Sequence, residues 1–576
     1  MRRLLVPLSL LALVACQREQ ATTPPTAPPA AATPAAAPVA ADAPQLPHGP
    51  HTFDAAIRVE DLAAHIKTLS SDEFEGRSPG GIGERMTTTY LKTEFERLGL
   101  KPGNGESYFQ AVPMVETRVQ PGATASFKVG EQTIAPAWGD QIVLGTRNGQ
   151  PQVAVAASEL VFVGYGVNAP ESDWNDYAGI DVKGKTVVML VNDPGFIRKD
   201  PDLFKGMAMT YYGRWTYKFE EAARQGAIGA IIVHDTEAAS YGWEVVQNSW
   251  GGPSFDLPTS EDPNLRLAFQ GWIRGDAATE LFSAAGLDLQ EQRRAADQRG
   301  FKAVALNASA SVAFDTVVRT ASSDNVLALL PGSERPDEVV VFMAHWDHLG
   351  RTFSAPDGDK IFNGAVDNAT GTAAVLEIAE AFVRDASKPK RSILFFLPTL
   401  EESGLLGSQY FAAHPTVPLR NLVAGLNMDA LPVHGRAKDF SVIGFGQSNL
   451  DAILSEVLAT QDRVAVPEPT PESGFYFRSD HFNFARVGVP ALYGRGGFDL
   501  RGGGVEAGKA IAADYTAKHY HKTSDEFDPN WDLSGTLEDI AAIYAVGRRI
   551  ADSAERPQWS ADSEFRAADE ARMNTP

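Results

Sequence analysis

From Asn325 onward the chain alternates short apolar runs with turn-rich loops and one periodic helical run, in the order VLALL, EVVVFMA, GTAAVLEIAEAFV, SILFFL, LVAGLNM and PALYG. Apolar runs this short and continuous fit strands buried on both faces. Their alternation with helical sequence predicts an α/β fold with a mixed, mostly parallel central sheet flanked by helices. In the helical run, Ala374, Val375, Ile378 and Phe382 fall on one face, the spacing of core packing. Open sheets of this kind gather distant residues beyond the carboxyl ends of their strands. His345 and Asp347 follow EVVVFMA, Glu401 and Glu402 follow SILFFLPTL, and Asp429 closes LVAGLNM, so three strand ends bring imidazole and carboxylate to one edge. Asp367 stands in the loop before the helix and His521 near the end of the chain. A lone His or Asp in such places is usually a hydrogen-bonded structural residue, so the weight rests on the set.

Upstream, IRVEDLAAHIKTLSS and residues 83–98 have helical spacing, the second with Tyr90, Leu91, Phe95 and Leu98 on one face. Between them, residues 74–81 (FEGRSPGG) form a turn cluster whose glycines permit close backbone approach. From about Thr117 to Ala313 the pattern shifts to β-like runs such as LVFVGYGV and KTVVMLVND, a helix-like EEAARQGA, and IGAIIVHD. That stretch reads as an inserted, smaller α/β domain. A chain of 576 residues with 44% hydrophobic content exceeds one ordinary domain. The expected division is 1–15, 16–52, 53–116, 117–313, 314–556 and 557–576, with 53–116 and 314–556 forming two parts of the main domain and 557–576 a tail.

Residues 1–15 run from Arg2 and Arg3 through an apolar stretch to small residues before Cys16, the only cysteine. This resembles a bacterial lipoprotein signal with Cys16 as the acylated residue; an ordinary secretory signal cleaved nearby is the alternative. The apolar run is too short to span a membrane, so the expected anchor is lipid. Gln17 is not the aspartate associated with inner-membrane retention, which points to an outer-membrane lipoprotein facing the periplasm or the surface. Residues 16–52, rich in Ala, Pro and Thr, read as a tether. A net charge of −22, or −24 without Arg2 and Arg3, disfavours nucleic acid and anionic membrane surfaces as partners.

AHWDHLG, GAVDNATG, EESGLLGS, NMD and YHKTSDE, in that order, resemble the motif series of the two-zinc aminopeptidase and glutamate carboxypeptidase superfamily. The resemblance covers roughly 53–116 and 314–550, and the middle segment is similar to a protease-associated domain. It implies two zinc ions bridged by Asp367, one completed by Glu402 and His521, the other by His345 and Asp429. Histidine and carboxylate suit zinc at about 2.0–2.2 Å and leave a position for water. Glu401 is then the general base, and Asp347 the carboxylate that accepts the other N–H of His345. Asp480, in Ser479-Asp480-His481, is a supporting carboxylate near the cleft, with His481 undecided. His348, His414, His434 and His519 match no ligand position. The implied activity is exopeptidase action on peptides, releasing N-terminal residues. Three alternatives stand beside it: a carboxypeptidase or dipeptidase of the same superfamily, a single-zinc cyclase of N-terminal glutamine, and a non-catalytic, metal-stabilised peptide-binding lipoprotein. The complete ligand set weighs against the cyclase, and Glu401 against the non-catalytic reading.

Overall fold

Each apolar run of the C-terminal half forms a strand. In the computed structural model, which describes residues 57–352 and 358–574, these are Arg335–Met343, Arg391–Leu397, Leu422–Asn427 and Ala491–Gly496. The expected signal at 1–15, the tether at 16–52 with Cys16, and the onset of order near Phe53 lie outside the described residues. The four strands lie side by side and parallel, in the spatial order 391–397, 335–343, 422–427, 491–496. Antiparallel strands extend the sheet on both sides: Val304–Leu330 and then Phe109–Val119 beyond the first, Asp439–Ile443 beyond the last. The sheet is thus mixed, with a parallel centre.

Helices cover both faces, because continuously apolar strands leave neither face fit for water. Val59–Leu69, Ile82–Arg97, Thr370–Arg384 and Ser534–Asp552 bury Leu62, Leu91, Ile378 and Ile543 in one core with Phe342 and Phe395 of the sheet. Phe411 and Phe484 pack with Phe396 on the opposite side. Each such side chain contributes about 1.5–3 kcal/mol on burial. Tyr90, Leu91, Phe95 and Leu98 are all buried, as their spacing predicts.

The inserted segment builds its own sheet, in which Gln152–Phe162, Thr186–Leu190, Gly229–Val233 and Phe269–Ile273 are parallel neighbours. Its boundary with the main domain is not a break in the chain. Val304–Leu330 is one strand of 27 residues. Its first half pairs with Thr124–Val129 and Gln152–Phe162 in the inserted sheet, its second half with Phe109–Val119 and Arg391–Leu397 in the central sheet. Burial changes along it accordingly: Leu306, Ala308, Ala310 and Val312 alternate with solvent-facing residues, whereas Asn325–Ala328 are buried without interruption.

The stretch 557–576, expected as a tail, is part of the fold as far as it is described. Trp559 and Phe565 join a buried cluster with Tyr476 and Phe482, Trp559 Nε1 donates to the Gly488 carbonyl at 3.0 Å, and Arg572 donates to the carbonyls of Leu419 and Leu422. Two aromatic side chains in a polar segment were the signal for this docking. No helix among the described residues is long and apolar enough to cross a membrane.

Candidate metal centre

The loops beyond the parallel strand ends bring together all five residues expected as ligands. His345 Nε2 lies 3.4 Å from Asp367 Oδ1 and 3.4 Å from Asp429 Oδ1. His521 Nε2 lies 3.3 Å from Asp367 Oδ2 and 3.1 Å from Glu402 Oε2. Two ligands held about 2.05 Å from one zinc ion at the tetrahedral angle stand about 3.3 Å apart. The donor atoms have that separation, and the set of imidazole and carboxylate is one zinc accepts, so the residues present fit the ion. Asp367 faces the two histidines with different oxygens.

Backbone geometry around these residues is unusual. Leu400 before Glu401, Ala430 after Asp429, and His521 itself have φ of 58°, 49° and 54°. Left-handed backbone at a non-glycine residue costs about 1–3 kcal/mol, so the surroundings must hold it. They do so through a dense set of hydrogen bonds. Asp525 accepts the N–H groups of Val366 and Asp367 at 3.0 and 3.1 Å. Asn368 Oδ1 accepts from Gly371 and Ala430, tying the Asp367 loop to the Asp429 loop, and Thr372 donates to the His345 carbonyl at 2.8 Å. Arg77, fully buried, donates to the carbonyls of Leu69, Trp346, Asn363 and Gly364. Burial lowers its pKa to about 10 against the pull of the nearby Asp367 and Asp525. The turn cluster of 74–81 therefore clamps the loops of His345 and Asp367, two of the expected ligands. Gly76, at φ 64°, lets this happen: a Cβ there would meet the Gly350 carbonyl at 2.3 Å.

Asp347 differs from expectation. The Nδ1 of His345 faces the Asp347 backbone carbonyl at 3.1 Å, while the Asp347 carboxylate stands 3.9 Å away, beyond hydrogen-bond reach. That carboxylate instead accepts the N–H of Glu401 at 3.1 Å, so it orients the expected base. Burial pushes it up to about 8, opposed by His345. Burial would also raise Asp367 and Glu402, but His345 and His521 hold Asp367 well below the usual carboxylate range, and His521 and His348 hold Glu402 at about 2.

Glu401 Oε2 lies 3.8 Å from His345 Nε2, and burial together with Glu402 and Asp429 raises its carboxyl well above the usual range. Asp480 is buried next to this group and pushed up to about 7, chiefly by burial, with His345 opposing. His348, which matched no ligand position, does act here: its Nδ1 contacts Glu402 Oε1 at 2.6 Å, leaving Oε2 to face His521. His414 pairs instead with Glu261, and His519 Nδ1 contacts the Ser524 carbonyl.

The inserted segment reaches the centre as well. Its helix Trp243–Gly251 brings Ser249 Oγ to 3.0 Å from His521 Nδ1, and Asn248 donates to the His521 carbonyl at 2.8 Å. A contact of this kind fixes an imidazole's tautomer and ring orientation. A cleft of about 160 Å³ is lined both by Glu401, Glu402 and His521 of the main domain and by Trp215 and Trp250 of the inserted segment.

Residues 325–545 match peptidase family M28. A probable zinc metalloprotease of Leptosphaeria maculans is 25% identical over 244 residues, 41% of this chain and 55% of that protein. Leucine aminopeptidase 1 of Penicillium rubens is 28% identical over 184 residues, 29% of this chain and 45% of that protein. The chain thus spans about half the length of these relatives. The aminopeptidase from Aneurinibacillus sp. strain AM-1 shares the fold, with a TM-score of 0.51 at 20% identity over 86% of this chain and 94% of that one. The motif series, the zinc-compatible donor set and the match over 325–545 agree: this segment of the chain is similar to peptidase family M28.

Proposed function

We propose that this chain is a zinc-dependent aminopeptidase that releases N-terminal residues from peptides, with two zinc ions sharing Asp367. The observation that carries the reading is the split of Asp367, Oδ1 towards His345 and Oδ2 towards His521, each histidine having a second carboxylate of its own in Asp429 or Glu402. Zinc bound there supplies Lewis acidity to the scissile carbonyl and to an attacking water. Glu401 stands at the rim of this set, and its main chain is held by Asp347. From that position its carboxylate takes the proton of the attacking water and returns it to the leaving amine. His348 and Ser249 hold Glu402 and His521 in their orientations. The inserted segment, which we read as a protease-associated domain, closes one side of the cleft and so restricts it to a chain end. The N-terminal sequence supports an envelope lipoprotein acylated at Cys16, a reading that mass spectrometry of the N-terminal peptide of the membrane-extracted protein tests.

The zinc-loaded protein is expected to release N-terminal residues from short peptides. Glu401→Gln is expected to lose about 10²–10⁴-fold in kcat while keeping its zinc, measured by elemental analysis. Undiminished turnover in that variant would sink the assignment of the base, and release of C-terminal residues by the native protein would sink the aminopeptidase reading.

A further inference from the structure

Three arginines, Arg147, Arg214 and Arg478, line the cleft, and its acidic side chains are confined to Asp347, Glu401 and Glu402 at the metal end. Among the described residues none of the three arginines has a carboxylate partner. Arg214 is the clearest case. Burial, with Arg478 adding to it, lowers its pKa to about 10, and its Nε has no hydrogen-bond partner. Arg478 is held by neutral groups alone: it donates to the Ser473 carbonyl at 3.1 Å and to the Tyr520 hydroxyl at 3.1 Å, with its guanidinium 5.2 Å from the ring centres of both Tyr241 and Phe475. Two neighbouring half-buried guanidiniums without a counter-ion are unfavourable unless an anion completes them. Their planar forks match a carboxylate.

We propose that Arg214 and Arg478 form a carboxylate subsite of the cleft, so that preferred peptides carry a carboxylate on the leaving side of the scissile bond, either an acidic side chain or the free C-terminus of a short peptide. The inference rests on the peptidase reading. The Tyr520 ring that Arg478 binds lies with its centre 4.0 Å from that of His521, which places the subsite one side chain from a metal ligand. Arg147, donating to the Ser403 carbonyl next to Glu402, adds positive charge on the same path. The cleft is therefore polarised, acidic at the metal end and basic beyond it. A peptide enters with its amine towards the carboxylates and its carboxylate towards the arginines.

Three tripeptides separate the possibilities: Leu-Ala-Gln amide, Leu-Ala-Glu amide and Leu-Ala-Gln free acid. The zinc-loaded protein is expected to cleave at least one charged peptide with kcat/KM about ten- to a hundredfold above the neutral amide, and the favoured arm identifies side chain or terminus. The ratio is expected to collapse towards one in Arg214→Met and in Arg478→Met, and to survive in part in Arg214→Lys. Calorimetric titration of the same peptides into zinc-loaded Glu401→Gln reads the preference without turnover. Equal cleavage and equal binding of all three overturn the subsite and leave the peptidase reading intact. If the native protein cleaves none of them, the peptidase reading fails, and the binding ratio still decides the subsite.

Discussion

Both ring nitrogens of His481 are buried without a hydrogen-bond partner, and the ring lies between Tyr476 and Tyr493, with centres 4.9 and 4.8 Å away. Burial lowers its pKa from 6.5 to about 3. The folded chain therefore refuses a proton that the unfolded chain accepts, so the stabilisation is complete above pH 6.5 and is lost as pH falls towards 3. One such histidine takes about 2 kcal/mol from stability between pH 8 and pH 5. His481→Phe keeps a ring between the two tyrosines and removes the titration. Its urea midpoint is expected to fall less than the parent's over that interval, and parallel curves would refute this account. At this scale the expected ligands His345, Asp367, Glu402, Asp429 and His521 were legible because each sits in one of the motifs that carry the family resemblance, and the structure brings them together. Their supports were less so. Whether the His345 ring meets the carboxylate or the carbonyl of Asp347 depends on a backbone rotation that no residue type encodes, and His348 is distinguished from an ordinary loop histidine only by its contact with Glu402.

Elements decide which loops can meet. The helix Trp243–Gly251 comes from the inserted segment, yet it supplies the partner of His521, an expected metal ligand more than 270 residues away in sequence. Removing the Ser249 hydroxyl frees the His521 ring to rotate and change tautomer. Ser249→Ala is expected to bind zinc about 10–100-fold more weakly, measured by competition with a chromophoric chelator. Unchanged affinity would mean that the inserted segment covers the cleft without orienting the ligand. Arg77 plays the corresponding part within the main domain. Arg77→Met would leave the carbonyls of Leu69, Trp346, Asn363 and Gly364 without their donor, at about 1–3 kcal/mol for each that finds no other. Thermal unfolding of that variant is expected well below the parent's, and a shift of less than 2 °C would show that the loops hold themselves. Apolar periodicity announced the helices and strands, including the face formed by Tyr90, Leu91, Phe95 and Leu98. It did not announce the reach of Trp243–Gly251, because a contact between distant loops leaves no period in either.

For the whole molecule, the question is how a fold tolerates Asp347, Asp367, Glu401, Asp429 and Asp480 buried so near one another, with Glu402 half-buried beside them. Two like charges 4 Å apart repel by about 4 kcal/mol in a medium of effective dielectric 20, and three histidines among them offset only part of this. A divalent cation bound to the folded chain alone relieves the repulsion and stabilises by mass action. That stabilisation reaches the entire chain, because the strand Val304–Leu330 belongs to both sheets and leaves neither free to melt alone. One cooperative transition is therefore expected, at a temperature that falls on treatment with a chelator and returns with zinc. Its dependence on free zinc counts the ions released on unfolding. Above the dissociation constant, each bound ion adds about 1.4 kcal/mol of stability per tenfold rise in free zinc. A slope equivalent to two ions is the expected result. A slope of one would mean that Asp367, for all that it faces two histidines, serves a single zinc, and the two-ion reading would have to be abandoned.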